Sequence, residues 1–184
     1  MKLESCKTIL QSYSMDSILV LQIDTSGSNC KTDSITRITA CNMNGDQILN
    51  TDDVKNCTEE IKVEINKYNA VIGVDVFTNL IPFLKENGIV LNCDCVADLQ
   101  KEWDEIIGSY NSKSKTWNRV SLPTLAGLCH FHPQPNLYSH HYNRVFAYAL
   151  LALKASEINS YTLSSNRKSL LRMQKNITNE HPIF

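Results

Sequence analysis

The chain has 184 residues, 42% of them hydrophobic and 20% charged, with a formal net charge of −1. That length favours one domain around a single sizeable core, and the balance is ordinary for a soluble globular protein. So small a net charge gives no global field toward nucleic acid, which leaves only a local basic patch for such binding. No segment approaches the roughly 18 apolar residues that span a bilayer. Met1–Cys6 lacks the apolar core of a secretion signal, so a cytoplasmic protein without membrane contact is expected.

Residues 1–16 are mixed in character and are expected to be helical or only partly ordered. Residues 17–23 read as a buried strand. The β-branched alternation from Asp33 to Met43 predicts a second, and Gln47–Asn50 returns from it through the turn signal Asn44-Gly45-Asp46. The chain thus opens with an antiparallel meander.

Thr58 to Tyr68 reads as a helix with Thr58 as a candidate cap and Glu59 and Glu60 in its first turn. Ala70–Val74 is short and apolar, as a buried parallel strand is. Asn79 to Asn87 reads as a helix stopping at Gly88, with Pro82 tolerable only in its first turn. Ile89–Asp94 is the fifth strand candidate, and Asp98–Ile107 a helix.

Residues 108–117 are a polar loop, Pro123–His130 a short helix and 131–139 a proline-bearing connection. Asn143 to Ala155 is an Ala/Leu-rich buried helix. The tail carries Arg167, Lys168, Arg172 and Lys175 around apolar residues.

Residues 18–27, Ile-Leu-Val-Leu-Gln-Ile-Asp-Thr-Ser-Gly, are an apolar strand ending on a polar loop at Asp24. This segment resembles the first motif of the RNase T-like 3′–5′ exonucleases, the DEDD group. That motif has an acid, one spacer and a glutamate, followed by Thr-Thr-Gly or Thr-Ser-Gly. In the matching positions this chain has Gln22 and Asp24.

The resemblance continues through Val71–Leu80, where the second motif's metal-binding acid falls on Asn79. In the third motif, Ser139–Ala149, aligning the alanines puts Ser139 at the family's histidine and Arg144 at its aspartate. A one-residue slip puts His140 or Asn143 there instead. Ser121–Ala126 is similar to the family's short helix before that motif.

The resemblance implies a ribonuclease H-like α/β fold, a central mixed five-stranded sheet flanked by helices. The single exonuclease-like domain would cover residues 1–184, with its core at about 17–156 and an extension at 157–184. It also implies a 3′–5′ exonuclease site holding two Mg²⁺ or Mn²⁺ ions roughly 3.5–4 Å apart. Such a site needs several hard anionic ligands. Gln22, Asp24, Asn79 and Arg144 together are formally neutral. An arginine at a metal position repels cations and is able to pair with Asp24 instead.

The expectation is therefore an exonuclease-like domain with impaired catalysis. It would act as a binding module for single-stranded DNA or RNA, or for a protein partner. One alternative is an active enzyme with relocated carboxylates. Asp24 and Asp75 are then the metal or catalytic acids, Asp94 or Asp98 a further ligand, and His140 or His141 a general base. Asp75, Asp94 and Asp98 also read as a loop or helix cap, a strand-end turn residue and an N-cap.

Phe77 and Tyr138 are candidates to stack on bases, with core packing the stronger expectation for Phe77. Arg167 and Lys168 are candidates to meet phosphates, or a solvated helix face. A second alternative is a zinc or thiol protein built on Cys93, Cys95, Cys129, His130 and His132. Against it, seven cysteines with no secretion signal read as reduced thiols, and Cys93 and Cys95 in one strand would share a core face.

Overall fold

A computed structural model describes residues 1–107, 110–117, 119, 121–122 and 141–157. The expected helix at Pro123–His130, the 131–139 connection and the tail beyond Glu157 lie outside the described residues. So do Cys129, His130, His132, Tyr138, Ser139, His140, Arg167 and Lys168.

The architecture is α/β, a mixed six-stranded sheet with helices on both faces. In chain order the sheet strands are β1 (Lys2–Leu3), β2 (Ile18–Thr25), β3 (Ile35–Asn42), β4 (Gln47–Thr51), β5 (Ala70–Gly73) and β6 (Cys95–Asp98). They lie side by side as β1-β6-β5-β2-β3-β4. The β2–β3 and β3–β4 pairs are antiparallel, and β2–β5, β5–β6 and β1–β6 are parallel. The meander is as expected.

The edge strand β1 was not expected, and the fifth predicted strand is displaced from Ile89–Asp94 to Cys95–Asp98. Local hydrogen bonds explain the shift. Helix α3 (Ile81–Glu86) ends with the Gly88 N–H on the Lys85 carbonyl (2.9 Å) and the Ile89 N–H on the Leu84 carbonyl (2.8 Å). That is a Schellman cap, with Gly88 left-handed at φ 73°. Beyond it, the Asn66 side chain donates to the Val90 carbonyl and accepts from the Asn92 N–H. These backbone groups are satisfied before a ladder can form.

The remaining helices are α1 (Cys6–Ser12), α2 (Thr58–Ile65), α4 (Leu99–Ile107) and α5 (His141–Glu157). In α2, Thr58 is the first helical residue rather than the cap: Cys57 holds that position, and the Thr58 hydroxyl donates to the Val54 carbonyl at 2.8 Å. The polar loop at 108–117 contains a small hairpin, β7 (Tyr110–Asn111) with β8 (Thr116–Trp117).

The apolar side chains of the sheet divide into two layers. Ile18, Val20, Ile72, Cys95 and Ala97 pack under α1, α4 and α5, against Ile9, Trp103 and Leu151. Leu19, Leu21, Ile38, Val71 and Val96 pack under α2 and α3, against Ile61, Ile65, Phe83 and Leu84. A central strand covered on both faces must be apolar at every position. Strand β2 obeys this until Gln22 and Asp24, which lie on the α5 side. Among the described residues, no helix is long and apolar enough to cross a membrane.

Candidate functional site

The first polar residues of β2 begin the site. Gln22 pairs across the sheet with Thr39, and Asp24 with Arg37. Parallel pairing of Val20 with Ile72 puts Gln22 level with Val74, so these polar groups sit where β5 ends. The crevice at the carboxyl ends of parallel strands is where open α/β sheets hold ligands.

Asp24 is bonded to an arginine. Arg144, on the first turn of α5, donates from Nη1 to the Asp24 Oδ1 at 3.1 Å. The Gln22 Nε2 donates to the same oxygen at 3.3 Å. The Gln22 Oε1 is buried without a hydrogen-bond partner. Arg37 turns toward the edge strand, donating to Asn50 at 2.8 Å and pairing with Asp52 at 3.0 Å. Asn143 precedes Arg144 on the same helix.

Asp75 stands at a second corner, after β5. Its backbone is left-handed, φ 51° and ψ 47°, a conformation that Asp tolerates better than most residues. The Asp75 carbonyl accepts from the N–H groups of Asn79 (2.8 Å) and Leu80 (3.1 Å), opening a π-helical turn over Val76–Leu80. Such turns are rare and frequent at functional sites. Gly73 lets the strand approach that turn, since a Cβ there would lie 2.6 Å from Leu80 Cδ2.

The expected helix from Asn79 is thus a π turn followed by α3. The Asp75 side chain makes no cap; it pairs with Arg119. Asn79, where the resemblance would put an acid, is half-buried. Phe77 is 48% exposed, against the expectation of core packing, because the turn directs it outward.

Asp98 joins the two segments. Its carboxylate accepts from the N–H of Asp75 (3.2 Å), of Val76 (2.9 Å) and of Lys101 (3.2 Å). The last of these is the N-cap bond of α4, as the sequence suggests. Asp94 lies at the amino end of β6, the opposite end from Asp98, and accepts a long bond from Tyr13 (3.4 Å).

The structure therefore brings together Gln22, Asp24 and Arg144, and separately Asp75, Asp98 and Arg119. It removes Asp94 from the site. Arg119 had no sequence signal, because its partner lies 44 positions away and only the fold makes them neighbours. Among the described residues, no three His, Cys, Asp or Glu side chains form a group able to hold a metal ion. Gln22, Asp24, Asn79 and Arg144 do not fit a pair of divalent cations: they offer two neutral amides and one carboxylate already bonded to a guanidinium.

The zinc alternative loses its proposed pair. Cys95 belongs to the core layer under α1, α4 and α5, and Cys93 to the opposite layer. The strand begins only at Cys95, so the alternation that would align them does not extend to Cys93. Burial pushes the Cys93 thiol up to about 11 and raises that of Cys95. Such thiols resist forming the thiolate that binds metal.

The sequence matches no protein-family model and none of the curated proteins.

Proposed function

We propose that this chain is a ribonuclease H-like domain of the RNase T-like exonuclease type, without two-metal hydrolysis, that binds single-stranded nucleic acid. The strand order supports the fold reading. Leaving aside β1, the sheet runs β4-β3-β2-β5-β6, an antiparallel meander extended by two parallel strands. The exonuclease resemblance supplies that same arrangement, with its first motif on the strand carrying Gln22 and Asp24.

The bond from Arg144 to Asp24 carries the proposal of lost hydrolysis. A tethered guanidinium stands beside the carboxylate that the family would give to a metal, and it answers the charge that a metal would neutralise. A divalent cation entering there would have to displace it and meet its charge.

The remaining surface suits a strand of nucleic acid. Phe77 offers an exposed ring on which a base can stack, and base stacking tolerates any sequence. Arg119 is 62% exposed and engages Asp75 through one Nη, leaving other N–H groups to meet a phosphate. Tyr138, Arg167 and Lys168 are further candidates for stacking and phosphate contact.

The test is degradation of 3′-labelled single-stranded DNA and RNA with Mg²⁺ or Mn²⁺, beside Asp24→Ala, with binding measured in the same samples. The expected result is salt-sensitive binding with no metal-dependent cleavage. Cleavage abolished by Asp24→Ala would restore the active exonuclease. Neither cleavage nor binding would turn the reading to a protein partner.

A further inference from the structure

We infer that Asp98 is the positioning residue of this site, acting through the Asp75 corner on Arg119 and Phe77. The inference rests on the nucleic-acid reading for its ligand, but not for its geometry.

One carboxylate serves two chain segments. Its bonds to the N–H groups of Asp75 and Val76 reach across from β6 to the exit of β5, while its bond to Lys101 starts α4. The register explains the reach: Gly73 is the direct neighbour of Asp98 in the parallel pair. The chain leaving β5 therefore passes the Asp98 side chain within two residues.

Two successive N–H groups, one on each oxygen of a single carboxylate, need a sharp corner, and the left-handed Asp75 provides it. A left-handed non-glycine residue persists only where its surroundings over-determine it. Here the carboxylate holds the amide side, and the π turn holds the carbonyl side through Asn79 and Leu80.

The corner presents two groups outward. The Asp75 side chain holds Arg119, and Phe77 follows two residues later on the π turn. Arg119 also lines an open cavity of about 420 Å³ with Val74, Gln100, Ser121, Leu122 and Tyr148. Tyr148 lies four residues after Arg144 on α5, one turn along the same helix face. The cavity thus reaches α5 one turn from Arg144. Asp98 acts on Arg119 and Phe77 by setting the backbone from which they are presented.

Asp98→Asn is the informative substitution, because an amide nitrogen at either oxygen position opposes an N–H rather than accepting from it. Asn66→Ala serves as a control, removing bonds to the 90–92 segment far from the corner. Anisotropy of a labelled single-stranded oligonucleotide would be measured for the full chain, Asp98→Asn, Arg119→Gln, their double variant and Asn66→Ala. Amide exchange at Asp75 and Val76 and the Arg119 side-chain NMR signal would be followed without ligand.

The expected result is about a tenfold loss of binding in each single variant, with no further loss in the double and none in Asn66→Ala. The Arg119 signal should move in Asp98→Asn together with faster exchange at Asp75 and Val76. Multiplying losses, or an Arg119 signal that stays in place, would overturn the role of Asp98 whatever the ligand. A moved Arg119 signal in a wild-type protein that binds no oligonucleotide would keep the positioning role and reject the nucleic-acid reading.

Discussion

Arg144 and Asp24 are 120 positions apart in sequence and meet at 3.1 Å, a helix guanidinium on the penultimate side chain of β2. Both side chains are about one-quarter exposed, 27% for Arg144 and 24% for Asp24. The pair therefore lies between a screened surface bridge and a buried one. The Gln22 amide on the same carboxylate oxygen makes the contact a small network.

A double-mutant cycle on Arg144→Ala and Asp24→Ala should give a coupling of about 0.5–1 kcal/mol, the upper part of the range for solvent-screened pairs. Urea denaturation of the four proteins measures it. The coupling should shrink in high salt. A value near zero at low salt would mean that the contact does not hold α5 to β2.

Gly45 turns the β3–β4 hairpin with φ 89°, and a Cβ there would lie 2.5 Å from Phe146 Cε2. Gly45→Ala meets both a backbone and a packing penalty, so a loss of about 1–3 kcal/mol is expected. Phe146→Leu in the same background should recover part of it. No recovery would assign the whole loss to the backbone.

The buried thiols make stability depend on pH in the alkaline range. Burial raises Cys41 from 9.0 to about 12 and Cys93 from 9.0 to about 11, and holds Cys6 well above the usual range. A raised acid favours the fold while the thiol stays protonated. Its contribution is therefore complete below pH 9 and declines as pH rises from there toward the folded values, because the unfolded chain ionises first. The urea midpoint should fall between pH 9 and 11, and less steeply in Cys41→Ala.

Thiol reactivity should follow burial. Cys30 and Cys57 are partly exposed, whereas Cys6, Cys41, Cys93 and Cys95 are buried. A hydrogen bond to Glu60 raises Cys57. Among the described thiols, iodoacetamide at pH 8, with the sites mapped by mass, should label Cys30 first and the four buried ones only as the chain unfolds. Early labelling of Cys93 or Cys95 would reopen the thiol-site alternative.

Much of the sheet was legible locally. β2 is apolar on both faces, β3 is rich in β-branched residues, and Gly45 marks their partner's turn, so the meander follows from side-chain alternation. The position of β6 was not, because Ile89–Asp94 looks equally strand-like. The Schellman cap at Gly88 and the Asn66 side chain decided against it by taking the backbone bonds first. Strand β1 has two residues, too short for any period, and exists because β6 offers it an edge.

The sequence by itself determined the chemistry available at the candidate site. It put Gln22 and Asp24 at the end of an apolar strand, and an arginine where the resemblance expects an acid. Only the tertiary structure decided the partners. Asp24 meets Arg144, Asp75 meets Arg119, and Asp98 turns inward to three backbone N–H groups. The physical reason is range. Alternation and capping act over a few residues and can be read along the chain. An ion pair or a shared carboxylate forms between segments that are neighbours only once the parallel strands have aligned their carboxyl ends.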